Sequence, residues 1–389
     1  MSTTAVTSVP LLDTTRGQEA VFARMREVFD SVLTSGRYIL GPEVEALEAE
    51  CAEYCGAAHS IGVSSGSDAL LVALMALDVG PGDEVVLPTF TFFATAGAVS
   101  RLGAKPVFCD VDPRTFNVTA ALLEPYIGPN TKALIPVHLF GQCCDMTEIL
   151  DLAAQRGVPV IEDAAQAIGA EWRGRRAGSM GTMGCFSFYP TKNLGALGDA
   201  GLVTTGDADI AKRLAILRGH GMSPRYYHKE IGGNFRIDAL QAALLRVRLP
   251  ELDAAHQARR DNAALYRELF VDAELAANAD GTPSDSGHLL TLPTVVDPSH
   301  IYNQFVVRVS DGRRDELRSW LSQNGVGTEI YYPLPLHMQE CYRGLGYREG
   351  DFPVSEAAAR ETLALPIFPT LRRDEIEYVV RTVRAFSDQ

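Results

Sequence analysis

The sequence predicts an α/β protein, with a large domain built on a mostly parallel sheet between helices and a smaller α+β C-terminal domain. Three observations carry that expectation. The chain has 389 residues, 46% of them apolar; it is too long for one ordinary compact domain and apolar enough for more than one core. Short apolar runs centred near Ile61, Val85, Val107, Ile135 and Val160 recur about every 25 residues, with amphipathic helical patterns between them. That alternation builds βαβ units and hence parallel strands. Beyond residue 300 the rhythm changes to one strand pattern followed mainly by helical ones.

Taken in order, residues 17–34 and 42–55 carry apolar side chains at helical spacing. ALLVALMAL, FFATAGAVSRL and MTEILDLAAQR are helices between the strands, and two further short strands fall near CFSF and GLVTT. The stretch from Ala239 to about Phe270 is helical and charged. Residues 273–288 are polar and, through NADGTPSDSG, rich in turn formers, and read as a surface loop. The segment 302–389 resumes with a strand, YNQFVVRV, then a helix, RRDELRSWLSQNG, then EIYYPLPLH and further helices. The boundary is placed so that residues 1–250 form the large domain and 251–389 the small one.

Composition narrows the function. A net charge of -14 offers no basic surplus for a phosphate backbone, which argues against nucleic acid. Seven cysteines, an odd number without a CxxC pair, suit a reduced cytoplasmic protein without a zinc site. Cys51 and Cys55, four apart on a helix, read as small buried apolar residues. The N-terminus lacks a signal pattern, and no apolar run reaches the ~18 residues of a membrane span.

Three stretches carry chemistry. Ligands of open α/β sheets sit beyond the carboxyl ends of the strands. The strand GVPVIED ends in Glu162 and Asp163, which alternation places on opposite faces, so one of them faces whatever lies there. VSSGSDALLVAL sets Ser64, Ser65, Gly66, Ser67 and Asp68 at a strand-to-helix junction. Such a junction can cradle an anion or simply cap the helix, and both readings stay open. FSFYPTKNLG puts Lys192 in an apolar, aromatic stretch before the glycine-rich GALGDAG. A lysine there is either a snorkelling surface residue or a desolvated amine, which loses proton affinity and becomes a nucleophile toward aldehydes. A phosphate cradle, a carboxylate for a pyridine nitrogen and a lysine for a Schiff base are together what pyridoxal 5′-phosphate (PLP) requires.

With SGSDAL, PGDEVVLPTFTFFAT, PVHLFG, IEDAAQAIGA, FSFYPTKN, GGNFRIDALQAA and EIYYPLPLH, the chain is similar to the sugar aminotransferases of the DegT/StrS-like family. These are PLP enzymes of aminotransferase fold type I. The resemblance runs from ILGPEVEALE to the C-terminus. It implies that Lys192 forms the Schiff base and moves the proton as general base and acid, while Asp163 pairs with the pyridine nitrogen. It places Gln166 near the phenolic oxygen, Phe92 on the ring face, and Gly66, Ser67 and Ser187 on the phosphate. Taken alone, Phe92 reads as core and Asn234 as a turn residue. The resemblance also implies a homodimer with a shared site, in which Asn234 reaches the neighbour's phosphate and Arg236 is a weaker candidate. Tyr331 and His337 are its substrate residues; Arg225, Tyr226, Lys229 and His220 are further possibilities, equally readable as surface residues.

The implied reaction moves an amino group from L-glutamate to a nucleotide-linked keto-sugar, with a lean toward carbon 3 of a dTDP- or UDP-linked hexose. One rival is a sugar dehydratase of the same fold, but such relatives carry histidine where this chain keeps Lys192. The other is a non-catalytic regulatory protein, against which the complete site argues.

Overall fold

The computed structural model describes residues 6–277 and 287–389, so residues 278–286 of the expected surface loop lie outside the described residues. Helix α1 spans Glu19–Ser35 and α2 spans Pro42–Cys55. Proline suits the first turn of α2, where its missing N–H would be unpaired anyway, and Gly56 ends the helix at φ 70°. Cys51 and Cys55 lie on the buried face of α2.

Strands and helices then alternate as the apolar rhythm predicts. The strands are β1 (His59–Val63), β2 (Glu84–Pro88), β3 (Lys105–Cys109), β4 (Thr131–Leu134) and β5 (Ile161–Asp163), then the two-residue strands β6 (Glu171–Trp172) and β7 (Arg175–Arg176), then β8 (Met183–Ser187) and β9 (Gly201–Thr205). Between and after them run α3 (Gly66–Ala76), α4 (Ala94–Arg101), α5 (Ala120–Leu123), α6 (Met146–Arg156) and α7 (Ala208–Leu217). The order β3-β2-β4 continues through the parallel bridges Leu134–Val160 and Val137–Asp163 into β5-β8-β9-β1. In this sheet β9 runs antiparallel to both neighbours, and the other pairings are parallel. Alternate side chains enter opposite cores: Val86, Phe186 and Leu202 on one face, Val85, Leu87, Cys185 and Val203 on the other. A sheet covered on both faces explains why its strands read as continuous apolar runs.

The expected helix beginning at Ala239 divides at Pro250, with a 3₁₀ turn over Leu249–Glu251 between α8 (Ala239–Arg248) and α9 (Leu252–Asp272). A third core lies around the antiparallel strands β10 (Leu290–Thr291), β11 (Phe305–Val309) and β12 (Thr362–Leu365), with α10 (Arg314–Gln323), α11 (Pro353–Glu361) and α12 (Arg373–Ser387). Strand β12 corrects the sequence reading, which expected only helices after EIYYPLPLH. TLAL pairs with β11, Phe305 opposite Leu365, and is buried along its whole length, so tertiary pairing overrides the helical preference of its alanine and leucines. The N-terminal segment joins this core through Val9, which bridges to Val326.

Candidate active site

Because β1, β2, β5 and β8 run parallel to one another, their carboxyl ends share one edge of the sheet. That edge collects Gly66 and Ser67 after β1, Phe92 after β2, Asp163 at the end of β5, and Ser187 and Lys192 at and after β8.

Glu162 and Asp163 diverge as strand alternation requires. Glu162 is fully buried and accepts hydrogen bonds from His138 Nε2 (2.9 Å) and from the backbone N–H groups of Gly178 (2.8 Å), Met180 (2.7 Å) and Gly181 (2.6 Å). Burial alone would raise its proton affinity; the bonds from His138, Gly181 and Gly178 outweigh that and hold it below the usual carboxylate range. Glu162 is thus committed to the fold. Asp163 faces the site, accepting from Thr95 Oγ1 at 2.8 Å and from the Ala165 N–H at 3.2 Å. Burial leaves it above its ordinary value despite those two donors, so a cationic N–H beside it would be stabilised.

Lys192 sits in the turn after β8, its own N–H bonded to Tyr189 O at 2.8 Å. The residue is partly buried. Desolvation pushes its ammonium down to about 8, and the charged group acting against that shift is Asp163. An amine at this value is still mostly protonated at pH 7, but its free-base fraction, about a tenth, is far above that of an ordinary lysine, and that fraction is nucleophilic.

Ser65 caps α3, accepting from Asp68 N at 3.0 Å, so the capping reading holds for Ser65. Gly66 and Ser67 begin the helix, where backbone N–H groups and the dipole favour an anion. A Cβ on Gly66 would meet Ser187 Cβ at 2.6 Å, and one on Gly201 would meet Ser65 C and O at 2.4 Å. Those two glycines let the helix start, β8 and β9 touch. Part of the glycine-rich run after Lys192 therefore serves the close packing at this helix start.

Phe92 is 57% exposed, with its ring 6.1 Å from that of Tyr332. An aromatic residue left open at this edge is not the core residue that its composition alone suggested. Gln166 is oriented at both ends, accepting from Phe140 N (2.7 Å) and donating to Tyr332 Oη (3.2 Å). A lysine, a buried carboxylate, an open ring and a helix N-terminus on one edge fit the PLP donor set.

A model of the DegT/DnrJ/EryC1/StrS aminotransferase family matches residues 21–384. The chain belongs to that family. Its relatives include the pleiotropic regulatory protein of Geobacillus stearothermophilus, 46% identical over 97% of this chain and 98% of the relative. The UDP-N-acetyl-3-dehydro-α-D-glucosamine 3-aminotransferase of Acidithiobacillus ferrooxidans is 42% identical over 97% of this chain and 98% of its own length. The dTDP-3-amino-3,4,6-trideoxy-α-D-glucose transaminase of Streptomyces venezuelae is 43% identical over 98% and 97%. Among solved structures, S. venezuelae DesV in complex with a ketimine intermediate superposes with a TM-score of 0.91 at 41% identity, covering 99% of this chain and 100% of DesV. NtdA from Bacillus subtilis with bound cofactor PMP gives 0.91 at 29% identity, covering 100% and 87%. The fold is that of the PLP-dependent sugar aminotransferases, and the chain is an enzyme of that class.

The remaining sequence candidates of this family member are scattered. Asn234 is exposed on a segment bridged to Gly219, while Arg236 bridges to Val63 beside the cradle. Arg225, Tyr226, Lys229 and His220 are exposed. Tyr331 is partly buried beside Tyr332, ring centroids 5.8 Å apart. His337 is not brought into the opening. It is 2% exposed, with Nδ1 against Thr89 Oγ1 (2.9 Å) and Nε2 against Glu356 Oε1 (3.2 Å). Both nitrogens are used, which withdraws it from ligand contact. Sequence reasoning missed Thr95 and Tyr332, which hold Asp163 and Gln166. Their hydroxyls lie inside matched stretches, TFTFFAT and EIYYPLPLH, so the signal was present without a reason to choose them.

Proposed function

We propose that this enzyme transfers the amino group of L-glutamate to carbon 3 of a dTDP- or UDP-linked 3-keto-hexose, leaving 2-oxoglutarate and an amino-sugar nucleotide. The observation that carries the reading is the amine of Lys192, held near 8 by burial with Asp163 as the charged group acting on it. The acceptor is supported by the relatives named for UDP- and dTDP-linked sugars aminated at carbon 3.

The cofactor is PLP; when bound, it supplies an electron sink for the substrate carbanion. Lys192 would hold it through Nζ and carry the proton to and from the substrate carbon. Asp163, kept in place by Thr95 and Ala165, would stabilise a proton on the ring nitrogen. Gln166 would orient the phenolic oxygen, Phe92 would cover the ring face, and Ser187 with Gly66 and Ser67 would take the phosphate. Tyr331 is retained as a substrate residue and His337 is not.

The working unit in this reading is a homodimer in which Asn234 completes the neighbour's cradle. Bare apolar surface beside Asn234, with Ile231 91% and Tyr226 74% exposed, supports such a contact. Full activity at dilutions that yield monomer would refute the shared site. A cytoplasmic setting is supported by seven free cysteines. No helix among the described residues is long and apolar enough to cross a membrane.

The deciding experiment is the absorption spectrum of the PLP-loaded protein before and after L-glutamate. Loss of the visible band into the near-ultraviolet establishes the donor half-reaction, and formation of an amino sugar from a 3-keto-hexose nucleotide establishes the acceptor. The relative named as a regulatory protein favours one second reading, a PLP-binding regulator. Cofactor uptake with no conversion by any amino donor would establish that reading instead.

A further inference from the structure

A cavity of about 520 Å³ opens beside Lys192, between the N-terminal segment Leu12–Gln18, the start of α9 and the loop after β12. Of the residues assigned to the cofactor, it touches Lys192 alone. Its charge is unusual for this chain. Arg248 and Arg259 both line it, and neither has a carboxylate within ion-pair distance among the described residues. Arg248 spends Nη1 on Gly195 O (2.8 Å). Arg259, 3% exposed, spends Nη1 on Tyr302 O (3.0 Å) and Ile367 O (2.9 Å) and leaves Nε unpaired.

Several other partly buried arginines carry carboxylate partners: Arg213 has Asp78 and Glu230, Arg218 has Glu48, Arg246 has Glu43 and Glu50. The other charged groups at the cavity are already spoken for. Arg16 binds Glu375 and Asp13, and Glu251 binds Arg24. A second unpaired donor, Thr370 Oγ1, belongs to the same wall. Desolvation holds Arg259 down to about 10 with no neighbouring charge to offset it. Glu251, beyond ion-pair distance, is the one charge that acts on Arg248 against its burial; Arg259 has none, so in a protein of net charge -14 its buried guanidinium leaves a desolvation cost that an anionic ligand would offset.

We propose that this cavity is a second binding site, for an oxyanion held by Arg248 and Arg259 next to Lys192. Carboxylate and phosphate share the required chemistry, a planar or tetrahedral oxyanion that accepts from a guanidinium fork. A carboxylate would come from an amino or oxo acid, and a phosphate from a phosphorylated ligand. The inference goes beyond the transamination reading and does not depend on it.

The test is calorimetric titration of the full-length protein, loaded with PLP so that the Ser187 cradle is filled, with succinate and with inorganic phosphate. Saturable binding of one of them is expected, and the tighter one identifies the source. Loss of a charge-assisted contact weakens binding by about tenfold or more, so Arg248→Ala should show that loss and Arg248→Lys much less. Because Arg248 also holds Gly195, a second variant leaves that bond alone: Ala255→Glu puts a carboxylate into the cavity wall and should repel either ion to the same extent. No saturable binding, or binding undiminished in Ala255→Glu, overturns the proposal. PLP uptake is read from absorbance beforehand, so failure of the functional reading registers separately. Without uptake the titration is run on the protein as purified, and Ala255→Glu still decides.

Discussion

Thr95 Oγ1 donates to Asp163 Oδ2 at 2.8 Å, and Thr95 stands at the second residue of α4 while Asp163 ends β5. Helix α4 follows β2 across the switch in strand order, so the fold itself sets this bond. Asp163 already sits above its ordinary proton affinity because of burial. Removing the donor in Thr95→Val raises it further and weakens the hold on a ring-nitrogen proton. A hydrogen bond to a charged group contributes ~1.5–3 kcal/mol, so the glutamate half-reaction should slow by about tenfold to a hundredfold. The acid limb of its pH profile should move upward, and Thr95→Ser should restore both. An unchanged pH profile in Thr95→Val would remove Thr95 from the site.

Lys192 makes a prediction about stability as well as catalysis. Its ammonium is lowered from 10.5 to about 8 in the folded protein. The folded state therefore disfavours the proton. The cost is fully present below pH ~8 and disappears as pH rises toward the unfolded value near 10.5. Between those limits the unfolded chain holds a proton that the folded one lacks, so stability from this group rises with pH. The full span is on the order of 3 kcal/mol. Denaturant midpoints of the cofactor-free protein, taken from pH 7 to 10.5, should climb relative to Lys192→Ala, which abolishes transamination while staying folded. Parallel midpoint curves would place the amine in water.

What could be read from the chain follows physical lines. The sheet was legible because its strands are buried on both faces and interrupted by amphipathic helices, which gives two clear periods. The residues after parallel strand ends were legible because one geometric rule gathers them on one edge. Strand β12 was not, because its sequence is a good helix and only pairing with Phe305 and its neighbours makes it a strand. Strand alternation alone left Glu162 and Asp163 undivided, and only the family resemblance chose Asp163, since alternation separates them without saying which face holds His138 and the Gly178–Gly181 turn. Tyr332 was passed over because nothing local reveals that Gln166 needs a donor partner at that distance in sequence.

Gly66 tests the cradle by sterics alone. Its missing Cβ is what lets Ser187 approach, since a Cβ there would stand 2.6 Å from Ser187 Cβ and 3.1 Å from its Cα. Backbone contacts of that kind cannot be relieved by a rotamer change. Gly66→Ala should push the start of α3 away from β8 and weaken PLP uptake by about tenfold or more, with a stability loss of ~1–3 kcal/mol. Ser67→Ala adds no atom and should leave stability within ~0.5 kcal/mol while weakening uptake. Equal uptake by Gly66→Ala and the parent protein, measured by equilibrium dialysis, would move the phosphate elsewhere.

His337 and Tyr331 were paired by the sequence as substrate residues, and their surroundings separate them. The His337 ring is wedged edge-on to Phe352 at 4.8 Å, with Thr89 and Glu356 on its two nitrogens. Thr89 Oγ1 also accepts the His337 backbone N–H at 3.0 Å. His337→Ala therefore takes one of two partners from the buried Thr89 hydroxyl, removes a partner from the Glu356 carboxylate and opens a void beside Phe352. The expected cost is ~2–4 kcal/mol of stability. Substrate KM should stay unchanged for the protein that remains folded. Tyr331→Phe keeps the packing against Tyr332 and removes a partly buried hydroxyl, so it should raise the KM for the sugar nucleotide several-fold while leaving the melting temperature within a few degrees. Denaturant midpoints and initial rates on the two variants read both effects. A His337→Ala protein of parent-like stability but raised KM would return the histidine to the substrate.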